Sequence, residues 1–196
     1  LKFKGEYGAS KLIYPFFGLD YLLEFNTLVL DARLNNSWNY GGGASPDDQR
    51  NRAQYTRDQF SCNLQNAMGG YAPRGKSVHL YLNGLYWGLY GVHERPDEHF
   101  ASGLLGGNPE DYDVIKHQYS NIVNGSNTSY LEMFQIANTN IENPDQYGLI
   151  ENYLDVEHFI DYMLLNFYIG NTDWAHQNWY ASKNREDVEG RWRFHC

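Results

Sequence analysis

The span GNTDWAHQNWY, residues Gly170 to Tyr180, sets Asp173 and Asn178 five positions apart, with His176 between them and Trp174 and Trp179 close by. A carboxylate can orient a hydroxyl for attack on a phosphoryl group, and a nearby amide oxygen can hold the Mg2+ such a transfer needs. Spacing alone does not single out this pair, because Asp31/Asn36, Asp58/Asn63 and Asp161/Asn166 repeat it. Context does. Asp31/Asn36 straddles a strand end, Asp58/Asn63 falls within a helix, and Asp161/Asn166 reads as the solvated side of another helix. Only Asp173/Asn178 occupies a loop directly after an apolar helix. The competing reading is an aspartate capping a turn that Asn178 also serves. His176 reads as a solvent-facing or supporting group before it reads as a ligand or base. Trp87, Trp174 and Trp179 read as core or cleft-wall packing, with sugar stacking the lesser alternative.

The elements that must position this loop flank it. In DVEHFIDYMLLNFYIGN, Val156, Phe159, Ile160, Met163, Leu164 and Phe167 recur at helical spacing, and Asp155 supplies the N-cap. After the loop, WYASKN, the polar turn REDVEG and RWRFHC predict a hairpin. Earlier, VHLYLNGLYWGLYGVHERPD places two alternating apolar runs around Asn83-Gly84, the preferred pair for a type I′ turn. Gly88 inside the second run points to a bulge or a close backbone approach. FNTLVLDARL, Phe25 to Leu34, predicts a strand. A loop then leads to a helix over Tyr55–Met68, with Asp47 or Asp48 as its cap. Phe60, Leu64, Ala67 and Met68 would be its apolar stripe, and Gly69-Gly70 its left-handed stop. DEHFASGLL predicts a short helix, and Gly106 to Thr128, polar and rich in Asn and Gly, reads mostly as loop.

Composition narrows the classes. At 196 residues the chain supports one sizeable core or two small lobes sharing a cleft. A formal charge of −9 argues against broad binding to nucleic acid or anionic membrane. No run of 18 apolar residues could span a bilayer. Seventeen tyrosines suit half-wet surfaces facing a polysaccharide or a partner as well as they suit a core. Cys62 and Cys196 show no metal-ligand pattern and leave the redox compartment open. No signal peptide is present, and strand-like sequence at both ends reads as part of a longer protein.

A helix, an acidic loop ending in Asn and a two-strand hairpin follow the order of the catalytic half of a protein kinase. VHLYLNGLYWGLYGVHERPDEHF, DYDVIK, HFIDYMLLNFYIGNTDWAHQNWY and RWRF resemble the CotH kinase family, the spore-coat-protein-H-like atypical kinases, and especially its large secreted bacterial members. KFKGEYGASKLIYPFF and YTRDQFSCNLQNAMGG extend the likeness through most of the chain. The resemblance implies a kinase-like fold, ATP and Mg2+ as cofactors, and serines of extracytoplasmic proteins as acceptors. It implies Asp173 as the catalytic aspartate and Asn178 as the metal-binding asparagine. Asn171-Thr172 stands where typical kinases have His-Arg. Glu94, where a kinase hinge would lie, would meet the adenine region or pair with Arg95 or Arg57. Lys116 would reach phosphate or be solvated at a strand end. Arg57 and Asp58 read as a surface ion pair more readily than as partners of a nucleotide lysine. That lysine is Lys2, Lys4 or a residue upstream, and a second metal aspartate is expected beyond Cys196.

The fold expected is therefore α+β and kinase-like. Residues 1–97 would form a sheet-rich lobe with one helix, and 98–196 a mainly helical lobe carrying the Asp loop. The function expected is Mg2+-ATP-dependent phosphorylation of Ser or Thr on a secreted or surface protein, with this stretch alone weakly active or inactive. The alternative is a non-enzymatic adhesion or carbohydrate-contacting module on a kinase-derived scaffold. A glycoside hydrolase fits less well, because no second carboxylate pairs with Asp173.

Overall fold

Asn83 and Gly84 take φ values of 50° and 82°, the two positive angles that a type I′ turn requires. They join β4 (Gly75–Leu82) to β5 (Leu85–Glu94). The register runs Leu80 opposite Gly88 and then Tyr81 opposite Tyr86. Trp87 is thus the extra residue of a bulge, and Gly88 (φ 139°) supplies the backbone angle beside it. The computed structural model describes residues 1–41, 49–50, 52–139 and 141–196. Asp47 and Asp48, expected as a helix cap, lie outside the described residues.

Two units make up the chain: Leu1–Asn63 with Pro73–Arg95, and Leu64–Ala72 with Pro96–Cys196. In the first, β3 (Leu28–Asp31) pairs antiparallel with β5 to give the order β3-β5-β4. A two-stranded ribbon, β1 (Leu12–Ile13) with β2 (Glu24–Phe25), accompanies it. Phe25, Leu28 and Val92 form the core here, with Phe16 and Phe17 packed against them. The strand expected over Phe25–Leu34 is interrupted. It ends at Asp31, whose carboxylate accepts the backbone N–H of Arg33 at 2.7 Å. Arg33 turns left-handed (φ 54°), and Leu34–Asn36 is a short 3-10 turn. Near the start of the chain, Lys2 makes only an isolated bridge to Thr27.

The helix α1 (Arg57–Ala67) lies within its expected span and stops at Gly69 (φ 88°). Its expected apolar stripe is not a core face, since Phe60 is 55% exposed. The buried position is Gln65, whose side chain donates to the Phe194 carbonyl at 2.7 Å and accepts from the Cys196 N–H at 2.9 Å. Asp58 and Arg57 do not form the expected pair. Asp58 accepts from the Asn36 amide at 2.6 Å, and Arg57 donates to Gln49 at 2.7 Å.

The second unit is built on an antiparallel sheet in the order β7-β6-β8-β9. Its strands are β6 (Tyr112–Lys116), β7 (Gln118–Asn124), β8 (Tyr180–Asn184) and β9 (Arg193–His195). The expected second hairpin is β8 and β9. The stretch expected as loop, Gly106 to Thr128, instead holds β6 and β7. β6 is an interior strand with Val114 and Ile115 wholly buried. Its acid, Asp113, is tolerated there because Arg185 and the Ser126 N–H engage its carboxylate at 3.0 and 2.7 Å.

The helices α2 (Glu98–Leu105), α3 (Thr128–Ala137), α4 (Pro144–Ile150) and α5 (Val156–Tyr168) belong to this unit. Asp97 caps α2 by accepting the His99 and Phe100 N–H groups, and Asp155 caps α5 by accepting that of His158. The buried face of α5 differs from the expected one. Tyr162, Leu165 and Asn166 are buried, whereas Ile160, Leu164 and Phe167 are about half exposed or more. Asn166, expected at a solvated face, is 2% exposed, while Asp161 is exposed as expected. The main core gathers Ile115, Tyr130, Tyr162, Trp179, Trp192 and Phe194. Antiparallel sheets with five α-helices among the described residues make the chain α+β.

His195 is held in this core as a neutral ring. One nitrogen, Nδ1, donates to the Tyr71 carbonyl at 2.6 Å, while Nε2 accepts from the Ser182 hydroxyl at 2.8 Å. Burial lowers its pKa to about 4. The unfolded ring binds a proton below about pH 6.5, whereas the folded ring refuses one until near pH 4. Stability is therefore fully present above that window. It falls by about 1.4 kcal/mol per unit as pH drops through it. Urea midpoints measured from pH 7 to pH 4 should show this slope, and His195→Gln should flatten it.

Candidate functional site

The loop between α5 and β8 is shaped by its polar side chains. Past α5, the Asn171 backbone N–H donates to the Asn166 carbonyl at 3.1 Å, and the Asn171 side chain donates to Asn166 Oδ1 at 2.9 Å. The buried Asn166 thus fixes the point where the helix turns into the loop. Two rings then fasten the loop to the core. Trp174 Nε1 donates to the Tyr162 hydroxyl at 2.7 Å, and Trp179 Nε1 donates to the Ala175 carbonyl at 2.8 Å. The Trp174–Ala175 peptide bond is cis. Both indoles are packing residues, as the sequence suggested.

Between these anchors Asp173 is exposed and densely hydrogen-bonded. Its Oδ1 accepts from the Gln177 amide and lies 3.3 Å from His176 Nε2. The Asn178 amide nitrogen donates both to Asp173 Oδ2 at 2.9 Å and to the Asp173 carbonyl at 3.0 Å. Gln177 above all, then Asn178 and His176, hold the Asp173 carboxyl below its ordinary range. The group is ionised at neutral pH, as a hydroxyl-orienting acceptor must be. Because the Asn178 nitrogen is spent on Asp173, its other amide atom, the oxygen, is directed away from that contact. An oxygen so placed is a hard donor suited to Mg2+.

Asn178 sits at φ 63°, an angle that Asn tolerates better than most residues. Its backbone N–H donates to Nδ1 of His117 at 2.9 Å, and the His117 N–H donates to the Trp179 carbonyl at 2.9 Å. His117 lies between β6 and β7 and is itself left-handed (φ 61°). Burial and the charge of Lys116 lower its pKa, partly opposed by Asp173. Neither His117 nor Gln177 stood out in the sequence. The only local cue, an isolated His at a strand junction, is too common to mark a site.

Lys116 ends β6, opposite Tyr180, with its ammonium 5.4 Å from the centre of that ring. It is the residue next to His117, so three of the residues singled out from sequence, Asp173, Asn178 and Lys116, belong to one neighbourhood. Glu94 belongs to the other unit, at the end of β5. There its buried carboxylate accepts from the Tyr21 hydroxyl and the Arg74 N–H, both at 2.9 Å. Burial and the Glu94 carboxylate together push the Tyr21 hydroxyl far above its ordinary range.

Among the described residues no three His, Cys, Asp or Glu side chains cluster as a metal-ligand set. A cation bound by one or two protein oxygens together with phosphate oxygens and water needs no such cage. The Asp173–Asn178 donor set fits that kind of site. Among the described residues no helix is long and apolar enough to cross a membrane.

An ionised aspartate locked to an asparagine lies between a core helix and a two-strand hairpin. Residues 44–196 match the family model described as CotH kinase protein. The chain belongs to the CotH kinase family, which carries with it a kinase-like function, the use of nucleotide and metal in general, and a protein substrate. No curated protein matches it.

Proposed function

We propose that the protein phosphorylates Ser or Thr hydroxyls of a secreted or surface protein, using ATP and Mg2+. The observation that carries this reading is the pair of hydrogen bonds that the Asn178 amide nitrogen donates to the Asp173 carboxylate and carbonyl. It leaves an ionised carboxylate to accept the acceptor hydroxyl's hydrogen bond, and an amide oxygen beside it for the cation. Asp173 would fix the direction of that hydroxyl, and on deprotonation its carboxylate is the nearest acceptor for the proton. Asn178 would hold Mg2+, which when bound offsets charge on the transferring phosphoryl group. Lys116 is the proposed nucleotide contact, toward phosphate. An extracytoplasmic location belongs to the same proposal.

Calorimetric titration of the protein expressed from its complete gene, with ATP in the presence and absence of Mg2+, tests this reading. Metal-dependent heat and a raised melting temperature are expected. A flat titration together with binding of soluble glycans would replace the kinase reading with the adhesion module.

A further inference from the structure

We propose that His117 is a positioning residue for Asn178, holding the asparagine's backbone so that its amide meets Asp173. This rests on the reading of the Asp173–Asn178 loop as a phosphoryl-transfer site. The β6–β8 ladder reaches Lys116 opposite Tyr180. It continues one step further through the His117 N–H to the Trp179 carbonyl. At the following step the backbone has turned away, and the imidazole takes over: Nδ1 accepts the Asn178 N–H at 2.9 Å. A side chain thus extends a strand ladder into the loop. Both partners are left-handed, at φ 61° and 63°, so each holds an uncommon backbone angle that the shared hydrogen bond fixes. Among the described residues, two hydrogen bonds aim the Asn178 side chain, both to Asp173. If the backbone of Asn178 rotates, both are lost and its oxygen moves with them. Asp173 reaches Asn178 through the loop itself. His117 is the contact that ties Asn178 to the rigid sheet.

Two substitutions separate the imidazole acceptor from the backbone angle. His117→Gly accepts φ 61° freely but has no side-chain acceptor. His117→Asn tolerates that angle and carries an amide oxygen near the position of Nδ1. In the protein expressed from its complete gene, exchange of the Asn178 amide hydrogen should accelerate at least about tenfold in the Gly variant. The Mg2+ concentration giving half-maximal ATP binding should rise about ten- to a hundredfold, the range expected on losing a group that supports a metal ligand. His117→Asn should restore both to within a few-fold. Asn178→Ala serves as the reference. A Mg2+ midpoint moved by Asn178→Ala but not by His117→Gly overturns the role of His117 alone. A midpoint moved by neither overturns the phosphoryl-transfer reading and this proposal with it.

Discussion

Asp173→Asn is expected to slow phosphoryl transfer about a thousandfold while leaving the melting temperature almost unchanged. The rate effect follows from the role proposed for the carboxylate, because positioned acid–base groups contribute about 10²- to 10⁴-fold. An amide in its place keeps the Gln177 contact through its oxygen. Its NH2 group, however, faces the Asn178 NH2, two donors with nothing between them to accept. The stability effect is small because the Asp173 side chain is 56% exposed, and surface substitutions usually stay within about 0.5 kcal/mol. Initial rates with labelled ATP and a serine-rich acceptor, paired with thermal melts, measure both. A variant within threefold of the wild-type rate would remove Asp173 from the chemistry.

The largest effect on folding is expected from Trp192→Ala. Trp192 is fully buried, edge-on to Tyr130 with ring centres 5.4 Å apart, and its Nε1 donates to Ser129 at 3.2 Å. Its backbone N–H donates to the Tyr153 carbonyl at 2.7 Å, beside a parallel bridge from Leu154. Truncating a buried tryptophan to Ala costs about 3–5 kcal/mol through lost contacts and the cavity left behind. That is a large part of the 5–15 kcal/mol that typically holds a domain together. Trp192→Phe keeps part of the ring contact. It gives up the bond to Ser129, about 1 kcal/mol, together with the volume of the lost second ring, so its cost is smaller than that of the Ala variant. Urea unfolding should rank the Ala variant well below the Phe variant. Equal midpoints would show that packing at this ring is not limiting.

Local chemistry explains which parts of this molecule could be read in advance. Asn83-Gly84 specified its own turn, and Asp155 and Asp97 their own helix caps, because each acts within a few residues of itself. The family likeness of the Asp loop was likewise carried by a contiguous span. The buried side of α5 was not legible, because periodicity weights apolar residues. Tyr162 and Asn166 enter the core only by virtue of distant or folded-state partners, Trp174 and Asn171. β6 and β7 were obscured for the same reason: Asp113 looks unfit for an interior strand until Arg185, 72 residues away, is placed beside it. His117 is the extreme case. Nothing near it in sequence discloses that its ring holds Asn178.

That long-range bond also constrains the order of folding. β6 and β7 are neighbours in the chain and can pair early. β8 must cross α3, α4 and α5 in sequence before it reaches β6, and contacts of that separation form late because chain closure precedes any gain from them. The loop's left-handed Asn178 acquires its fixed partner only when β8 docks. During refolding, the core helices and the β6–β7 hairpin should become protected first, with the Asp173–Asn178 geometry appearing in the same kinetic phase as the β6–β8 ladder. A nascent chain would therefore hold much of its secondary structure before it could carry out its chemistry.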